Sequence, residues 1–377
     1  MWVRSIQLAN FRNYAQAALD FPEGPSLIFG ENGNGKTNMV EAVSYLSTMD
    51  SHRVTGYQAL IRSESASSQI SAKVQHDSRE LLVGVELNRD SSNRYFLNGS
   101  ARKKPSELIG LVKTVTFAPE DLDLIRRDPS DRRRFLDSCL VQLKPRLAGV
   151  KSDYDRVLKQ RNALLKSARA VKSVDLSTLD IWDDQLVSLG SIIAMERISL
   201  IAALEPLIQE FYKRLSSSSD EIRLRLVSAL GADENEKLSE IDVDPEAYSD
   251  SFHDRLKSLR PKELERGITL VGPHRDELLI EKSGLLAKTH ASQGEAWSLA
   301  LGLKLALGEV SRRSSDSGDP ILLLDDVFAV LDKGRRARLL ECVNDYQQVI
   351  ITAADETMAP ELKWAGRFKV EGGGVIA

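Results

Sequence analysis

Gly30-Glu31-Asn32-Gly33-Asn34-Gly35-Lys36-Thr37 fits the pattern G-x-x-x-x-G-K-[ST], and no other feature so narrows what a chain of 377 residues can fold into. Glycines at 30, 33 and 35 let the backbone turn its N–H groups toward a phosphate, which a Cβ would obstruct, and Asn32 and Asn34 tolerate the same turns. Lys36 is suited to the β- and γ-phosphates and Thr37 to Mg²⁺, while the following helix, which includes Asn38, directs its positive end at the anion. Ser26-Leu27-Ile28-Phe29 reads as a short buried strand and 38–43 as the start of a helix. Strand, loop and helix together predict an α/β fold with a nucleoside triphosphate site.

Almost three hundred residues later Ile321-Leu322-Leu323-Leu324 runs apolar into Asp325-Asp326. A strand buried on both faces delivers carboxylates to the edge of a parallel sheet in this way, so the segment reads as a Walker B strand. Asp325 is then the support for Mg²⁺ and Asp326 the carboxylate that orients or polarises the attacking water. Ala291-Ser292-Gln293-Gly294-Glu295 precedes a strongly helical stretch, 296–310, placing a Ser hydroxyl and a Gly N–H at a second helix start. It resembles the ABC signature motif, which in such ATPases contacts the γ-phosphate held by the opposite subunit. In the order loop, signature, acidic strand, the three predict ATP sandwiched between two copies.

Composition sets bounds. The apolar content suffices for a sizeable core and the length for two or three domains. Cys139 and Cys342 are the two cysteines, too few and too far apart for a metal-thiolate site or a disulfide framework, which points to a reducing, cytoplasmic setting. The start, Met1 to Ile6, alternates like a strand rather than a secretion signal, and no run approaches the roughly 20 apolar residues of a membrane span. A net charge of −4 conceals an asymmetry: Ala101 to Lys172 holds 18 Lys and Arg against 9 Asp and Glu, +9, leaving −13 for the remainder. Clusters such as Arg102-Lys103-Lys104, Arg126-Arg127 and Arg132-Arg133-Arg134 suit a phosphate backbone or a solvated face.

Periodicity predicts a β-rich first part, with short alternating segments at 69–74, 81–87 and 94–97 and a turn at Asn98-Gly99, as in an antiparallel meander. From Ser130 the period becomes helical. Ser216 to Ser219 is the expected weak point of that region, and 232–250 an acidic loop or poorly ordered excursion. The expected division is 1–118 as the first half of an ATPase lobe with phosphate loop and meander, 119–270 as a mostly helical inserted lobe, and 271–377 as the second half. That second half resumes the core after Pro273 and ends on the strand Val349-Ile350-Ile351. No heptad run is long enough for a coiled-coil arm.

In these motifs, and along essentially its whole length, the chain resembles the RecF family, bacterial recombinational-repair proteins of the ABC ATPase group related to SMC heads. Carrying residues are 8–14 with Asn10-Phe11-Arg12-Asn13, the phosphate loop, Ser51-His52-Arg53, Pro119-Glu120-Asp121-Leu122, 131–137, Tyr154 through Leu165, and Gly272-Pro273-His274-Arg275-Asp276-Glu277. The resemblance implies an ABC-type P-loop head with a mixed central sheet and a weak, DNA-stimulated ATPase that dimerises with ATP. It further implies binding to duplex DNA and gap junctions, work with RecO and RecR to help RecA load, and a place in the damage response. By position, Lys36 and Thr37 bind phosphate and Mg²⁺, Ser292 and Gly294 act in trans, and Asp332, in Ala329-Val330-Leu331-Asp332, matches the dimer-contacting D-loop. Arg12 is placed beside the nucleotide or as an exposed strand-end cation, with Asn13 next to it.

Departures from the wider ABC pattern are visible. Asp326 stands where transporters have Glu, which shortens the reach to water and implies a low rate. No switch histidine occurs in 350–355, leaving Thr352 for that position, and Glu120 stands where a Q-loop glutamine is expected. His274 and Arg275 serve DNA, nucleotide or the packing of a domain junction. Two competing readings are a transport-type nucleotide-binding subunit, which predicts a groove for a membrane partner, and a non-turnover structural head, which needs long arms that this sequence lacks.

Overall fold

The strand Gly24–Phe29 ends directly before the phosphate loop, and Ile321–Leu324 ends directly before the acidic pair. Both belong to one six-stranded sheet, in the order Gly374–Ile376, Gly366–Glu371, Gly24–Phe29, Gln348–Ala353, Ile321–Leu324, Thr114–Phe117. All neighbours pair in parallel except the hairpin Gly366–Glu371/Gly374–Ile376, so the sheet is mixed, as expected. Ile28 lies opposite Thr352, and Leu324 opposite Ile351 and Phe117. In-register parallel strands finish at one edge, which brings distant motifs together there. The structure is a computed structural model that describes every residue except 52, 55, 171–177, 231–243, 315–317, 360 and 377.

A second six-stranded sheet is the antiparallel meander, in the order Tyr14–Asp20, Trp2–Phe11, Ser67–His76, Arg79–Asn88, Arg94–Leu97, Ser100–Arg102. Asn98 and Gly99 make its tight turn with φ of 51° and 77°, the left-handed pair such hairpins require. Alternating residues of its inner face (Val3, Ile6, Leu8, Ile70, Val83, Val85) join Met39, Val40, Val43 and Leu46 of the helix Lys36–Thr48, and Ile28, Leu323 and Ile350 of the central sheet, in one buried cluster. The phosphate loop thus stands on a helix gripped from both sides.

Contacts divide the chain into two units: Met1–Ile125, Pro206–Asp220 and Ala291–Ala377 form one, Arg126–Glu205 and Glu221–His290 the other. The expected boundaries after 118 and 270 differ from these. Pro206–Asp220, the end of the helix Leu179–Ser216 and its exit, belongs with the ATPase unit, and residues 271–290 belong with the helical one. The core therefore resumes at Ala291, not at Pro273, because Glu277–Lys282 pairs with Ile222–Val227 and Leu285–Leu286 in a three-stranded antiparallel sheet. The unit is thus mostly helical, with this small sheet beside its helices.

The remainder of the helical unit comprises Pro129–Leu143, Leu147–Ala170, most of Leu179–Ser216, and Pro245–Arg266. Residues 244–250 are not loop: Asp244 caps the last of these helices by accepting from the Ala247 amide at 3.2 Å, and 232–243 lie outside the described residues. Tyr154, Val157, Leu186, Ile193, Phe252 and Leu256 form its core. Arg161, fully buried, donates to Asp183 (2.6 Å), Glu263 (2.7 Å) and Thr269 (2.9 Å). Ser216 ends its helix as expected, with Ser217 at φ 56°.

One further expectation needs correction: the core does not end on the strand at 349–351, since Gly366–Glu371 extends the sheet by pairing with Gly24–Phe29. Among the described residues one helix, Leu179–Ser216, is long and apolar enough by length and composition to cross a bilayer, although Glu196, Arg197 and Glu205 interrupt its apolar run. Leu186, Ile193, Leu204 and Ile208 show why it is apolar: each is buried in the fold.

Candidate nucleotide site

Gly30 and Gly35 fix the loop. Gly30 has φ 150°, and a Cβ there would sit 2.2 Å from the Val370 carbonyl oxygen; Gly35 has φ 116°, and a Cβ there would meet Asn13 at 2.7 Å and the Tyr14 hydroxyl at 2.8 Å. Only glycine fits either position. Lys36 is buried and its ammonium donates to the carbonyls of Gly30 (2.7 Å) and Glu31 (3.2 Å) and to Asn32 Oδ1 (3.3 Å). Asn13 staples the loop to its helix: its amide donates to the Asn34 carbonyl at 2.8 Å and its oxygen accepts from Asn38 Nδ2 at 2.8 Å. The Tyr14 hydroxyl donates to the Gly35 carbonyl at 2.9 Å, and Asn34 reaches the Val370 carbonyl at 3.4 Å.

The acidic pair comes to the same edge. Asp325 Oδ1 accepts from the Thr37 hydroxyl at 3.1 Å and from the Thr352 hydroxyl at 2.7 Å, and Thr352 Oγ1 in turn accepts from the Asp326 amide at 2.8 Å. One hydroxyl therefore braces both acids. Burial pushes the Asp325 carboxyl up to about 6, against the two hydroxyl hydrogen bonds that lower it. Thr37 and Asp325 offer adjacent hard oxygens, a donor set that fits Mg²⁺ alongside phosphate oxygens and water. Asp326 is half-buried at φ 49° and opens the short helix Val327–Val330.

Arg12 does not stand free at the strand end. At φ 53° it leaves the first strand and donates through Nε (2.9 Å) and Nη2 (2.7 Å) to Glu41, a fully buried carboxylate of the phosphate-loop helix. Ser51 donates to Glu41 at 2.5 Å and Arg53 at 3.2 Å. Burial pushes the Glu41 carboxyl up, but these hydrogen bonds and the two guanidinium charges outweigh it and hold the group below the usual range. Arg53 also donates to Asn38 Oδ1 at 3.1 Å and stands 3.9 Å from Glu120, so the residue in the Q-loop position is tied to the phosphate-loop helix through an arginine. His52 lies outside the described residues.

Ser292 caps the helix Gln293–Arg313, accepting from the Glu295 amide at 3.3 Å while Glu295 accepts from the Ser292 amide at 2.8 Å, a capping box that satisfies two of the helix's first amides. Asp332 caps the helix Lys333–Val343 through the Arg335 amide at 2.9 Å. His274 packs within the helical unit, its Nδ1 meeting the Tyr154 hydroxyl at 2.7 Å, whereas Arg275 is exposed, with both Nε and Nη2 donating to the Thr269 carbonyl. Burial pushes the His274 imidazole down to about 3. In the basic cluster, Arg132 pairs with Glu277 and Arg133 donates to the Asp276 carbonyl at 2.8 Å, whereas Arg134 is exposed. The motif analysis missed Glu41, Tyr14 and the Val370 carbonyl; a lone glutamate among the apolar residues of 39–43 was the one legible hint.

Phosphate loop, braced acidic pair and capped signature helix within one unit, on a mixed sheet flanked by a meander, define an ABC-type P-loop ATPase head. The family model described as RecF/RecN/SMC N terminal domain matches residues 2–373. Curated relatives named "DNA replication and repair protein RecF" are 47% identical in Clavibacter sepedonicus, over 100% of this chain and 95% of that protein, and 46% identical in Leifsonia xyli subsp. xyli, over 100% and 99%. The chain belongs to the RecF family. Solved structures of the recombination mediator protein RecF in the RecFOR pathway, with ATP and with ATPrS, superpose with TM-scores of 0.90 and 0.88 at 27% identity, covering 100% and 99% of this chain and 97% of each of theirs. An Smc head domain from Pyrococcus furiosus, 16% identical over 99% of this chain and 95% of its own, matches in fold at 0.54.

Proposed function

We propose that this chain is an ATP-dependent, dimerising DNA-binding protein of replication and recombinational repair, in which ATP closes two copies face to face and slow hydrolysis releases them. The observation that carries the reading is the brace Thr37–Asp325–Thr352–Asp326, which couples the phosphate loop to the acidic strand across the sheet edge. Lys36 exchanges the loop carbonyls for β- and γ-phosphate oxygens, and the amides of 32–38 receive the remaining charge. Thr37 and Asp325 hold Mg²⁺, which when bound offsets the triphosphate charge. Asp326 orients the water that attacks the γ-phosphorus, and its short side chain makes the rate low. Ser292 and Gly294 of the mate grip the γ-phosphate from the other side, with Asp332 at the contact between copies. Loss of that phosphate removes what the mate grips, so hydrolysis opens the pair.

DNA is the second ligand. The local excess of +9 between Ala101 and Lys172 suits a duplex and its junction with a gap, and the relatives' place in the RecFOR pathway supports RecO- and RecR-type partners that assist RecA loading in the cytoplasm. Light scattering with ATP or ADP, each with and without gapped DNA, tests the reading. The mass doubles with ATP alone and salt-sensitive DNA binding accompanies it; both are lost in Lys36→Met. Equal mass in the two nucleotides, or unaltered DNA affinity in Lys36→Met, defeats it.

A further inference from the structure

Gly294 occupies the second position of the helix Gln293–Arg313 and is not among the glycines with left-handed φ. Its backbone would accept alanine, the better helix former. A side chain there would press on Arg335: an added Cβ would lie 2.7 Å from Nη2, 2.8 Å from Nη1 and 2.9 Å from Cζ, so the guanidinium would have to swing aside. Three near-equal distances mean that the guanidinium lies flat on the glycine. Arg335 sits in the first turn of Lys333–Val343, and its Nη1 donates to Asp332 Oδ2 at 2.5 Å while its amide holds Oδ1 at 2.9 Å. Its Nε is buried without a hydrogen-bond partner, as are those of Arg102, Arg255 and Arg260.

The same end of the unit carries two carboxylates, Asp332 and the Glu295 of the capping box. Arg335, paired with Asp332, and the exposed Lys333 beside it set cations among them, without which such a surface repels a triphosphate. We propose that Arg335 is a positioning residue: it locks the D-loop onto the signature helix through Gly294, and it neutralises the face that receives the mate's triphosphate. The inference rests on the face-to-face dimer proposed above and adds to it a named coupling residue. It also gives Gly294 a second reason to be glycine, beyond the approach of a phosphate.

Two measurements test it. In thermal melts without nucleotide, Gly294→Ala lowers the melting temperature of the otherwise unchanged chain by about 2 °C, but raises it in an Arg335→Ala background, where the helix gains alanine and nothing is displaced. The same downward shift in both backgrounds overturns the contact. In sedimentation at saturating ATP, Arg335→Ala weakens dimerisation at least tenfold and Arg335→Lys, which keeps the charge without the flat guanidinium, recovers part of the loss. Arg335→Ala dimerising as tightly as the unchanged chain overturns the role. An unchanged chain that stays monomeric with ATP overturns the face-to-face reading together with the role of Arg335, a result distinct from failure of this inference alone.

Discussion

Arg161 and Asp325 are both buried charges, and the two units treat them in opposite ways. In the helical unit Arg161 is enclosed by Asp183, Glu263 and Thr269, so its desolvation is met by opposite charge. In the ATPase unit Asp325 receives hydroxyls only, and burial leaves its carboxyl raised to about 6. A charge fully paired inside the fold specifies structure, whereas one held by neutral partners is prepared for something that the fold alone does not supply. The contrast holds for these two residues and not for the units as wholes, since Asp276 of the helical unit is also raised to about 6 and Glu41 of the ATPase unit is paired with Arg12 and Arg53.

Breaking the paired charge has the largest expected effect on stability. Arg161→Ala strands Asp183 and Glu263 in the interior and costs the helical unit about 3–5 kcal/mol in urea unfolding; a loss below about 1 kcal/mol would remove the distinction drawn between the two residues. The reverse substitution at the site behaves oppositely. Asp325→Asn removes an unneutralised buried charge, so without nucleotide the ATPase unit is as stable or more so, by about 1–2 kcal/mol, while ATP turnover falls at least about 100-fold. A variant that is both inactive and markedly less stable would show that Asp325 is scaffold.

A sharper probe lies in the helical unit. Burial holds His274 near 3, from an ordinary 6.5, so its contribution is fully present above pH 6.5 and is lost as pH falls toward 3, at about 1.4 kcal/mol per pH unit. Asp276, pushed up by burial to about 6 from 3.8, acts in the opposite sense and returns stability between pH 6 and 3.8. Between pH 6 and 3.8 the two nearly cancel, so in His274→Gln Asp276 acts alone and stability rises as pH falls through that range; an unchanged profile contradicts the buried neutral imidazole. The smallest effect belongs to Asn13→Ala, which releases the phosphate loop from its helix and weakens ATP about 3- to 10-fold by calorimetry, the value of one or two hydrogen bonds.

What was legible in the sequence was local. The loop at 30–37, the strand before Asp325 and the cap at Ser292 each announce themselves within eight residues, because phosphate geometry and helix starts are short-range demands. The three-stranded sheet escaped notice because Ile222–Val227 and Glu277–Lys282 are separated by a helix, and each alone is a short alternating run with no visible partner. Glu41 was hidden for a similar reason. A glutamate in a helix reads as solvent-facing, and only the return of Arg12 from the end of the first strand makes its burial tolerable. Thr352 stood out only by elimination, as the residue left where a switch histidine is missing, and nothing in the sequence showed that its hydroxyl ties both acids together.

The central claim is that each triphosphate lies between Lys36 of one copy and Ser292 of the other. Mixing two inactive variants, Lys36→Met and Ser292→Arg, and measuring steady-state ATP hydrolysis tests it most directly. In a mixed pair one site carries both lesions and the other carries none, so activity returns, up to half that of the unchanged dimer at full heterodimer formation. If the mixture stays as inactive as either variant alone although the two chains associate, the phosphate loop and the signature serine act within one copy, and the shared-site account is wrong.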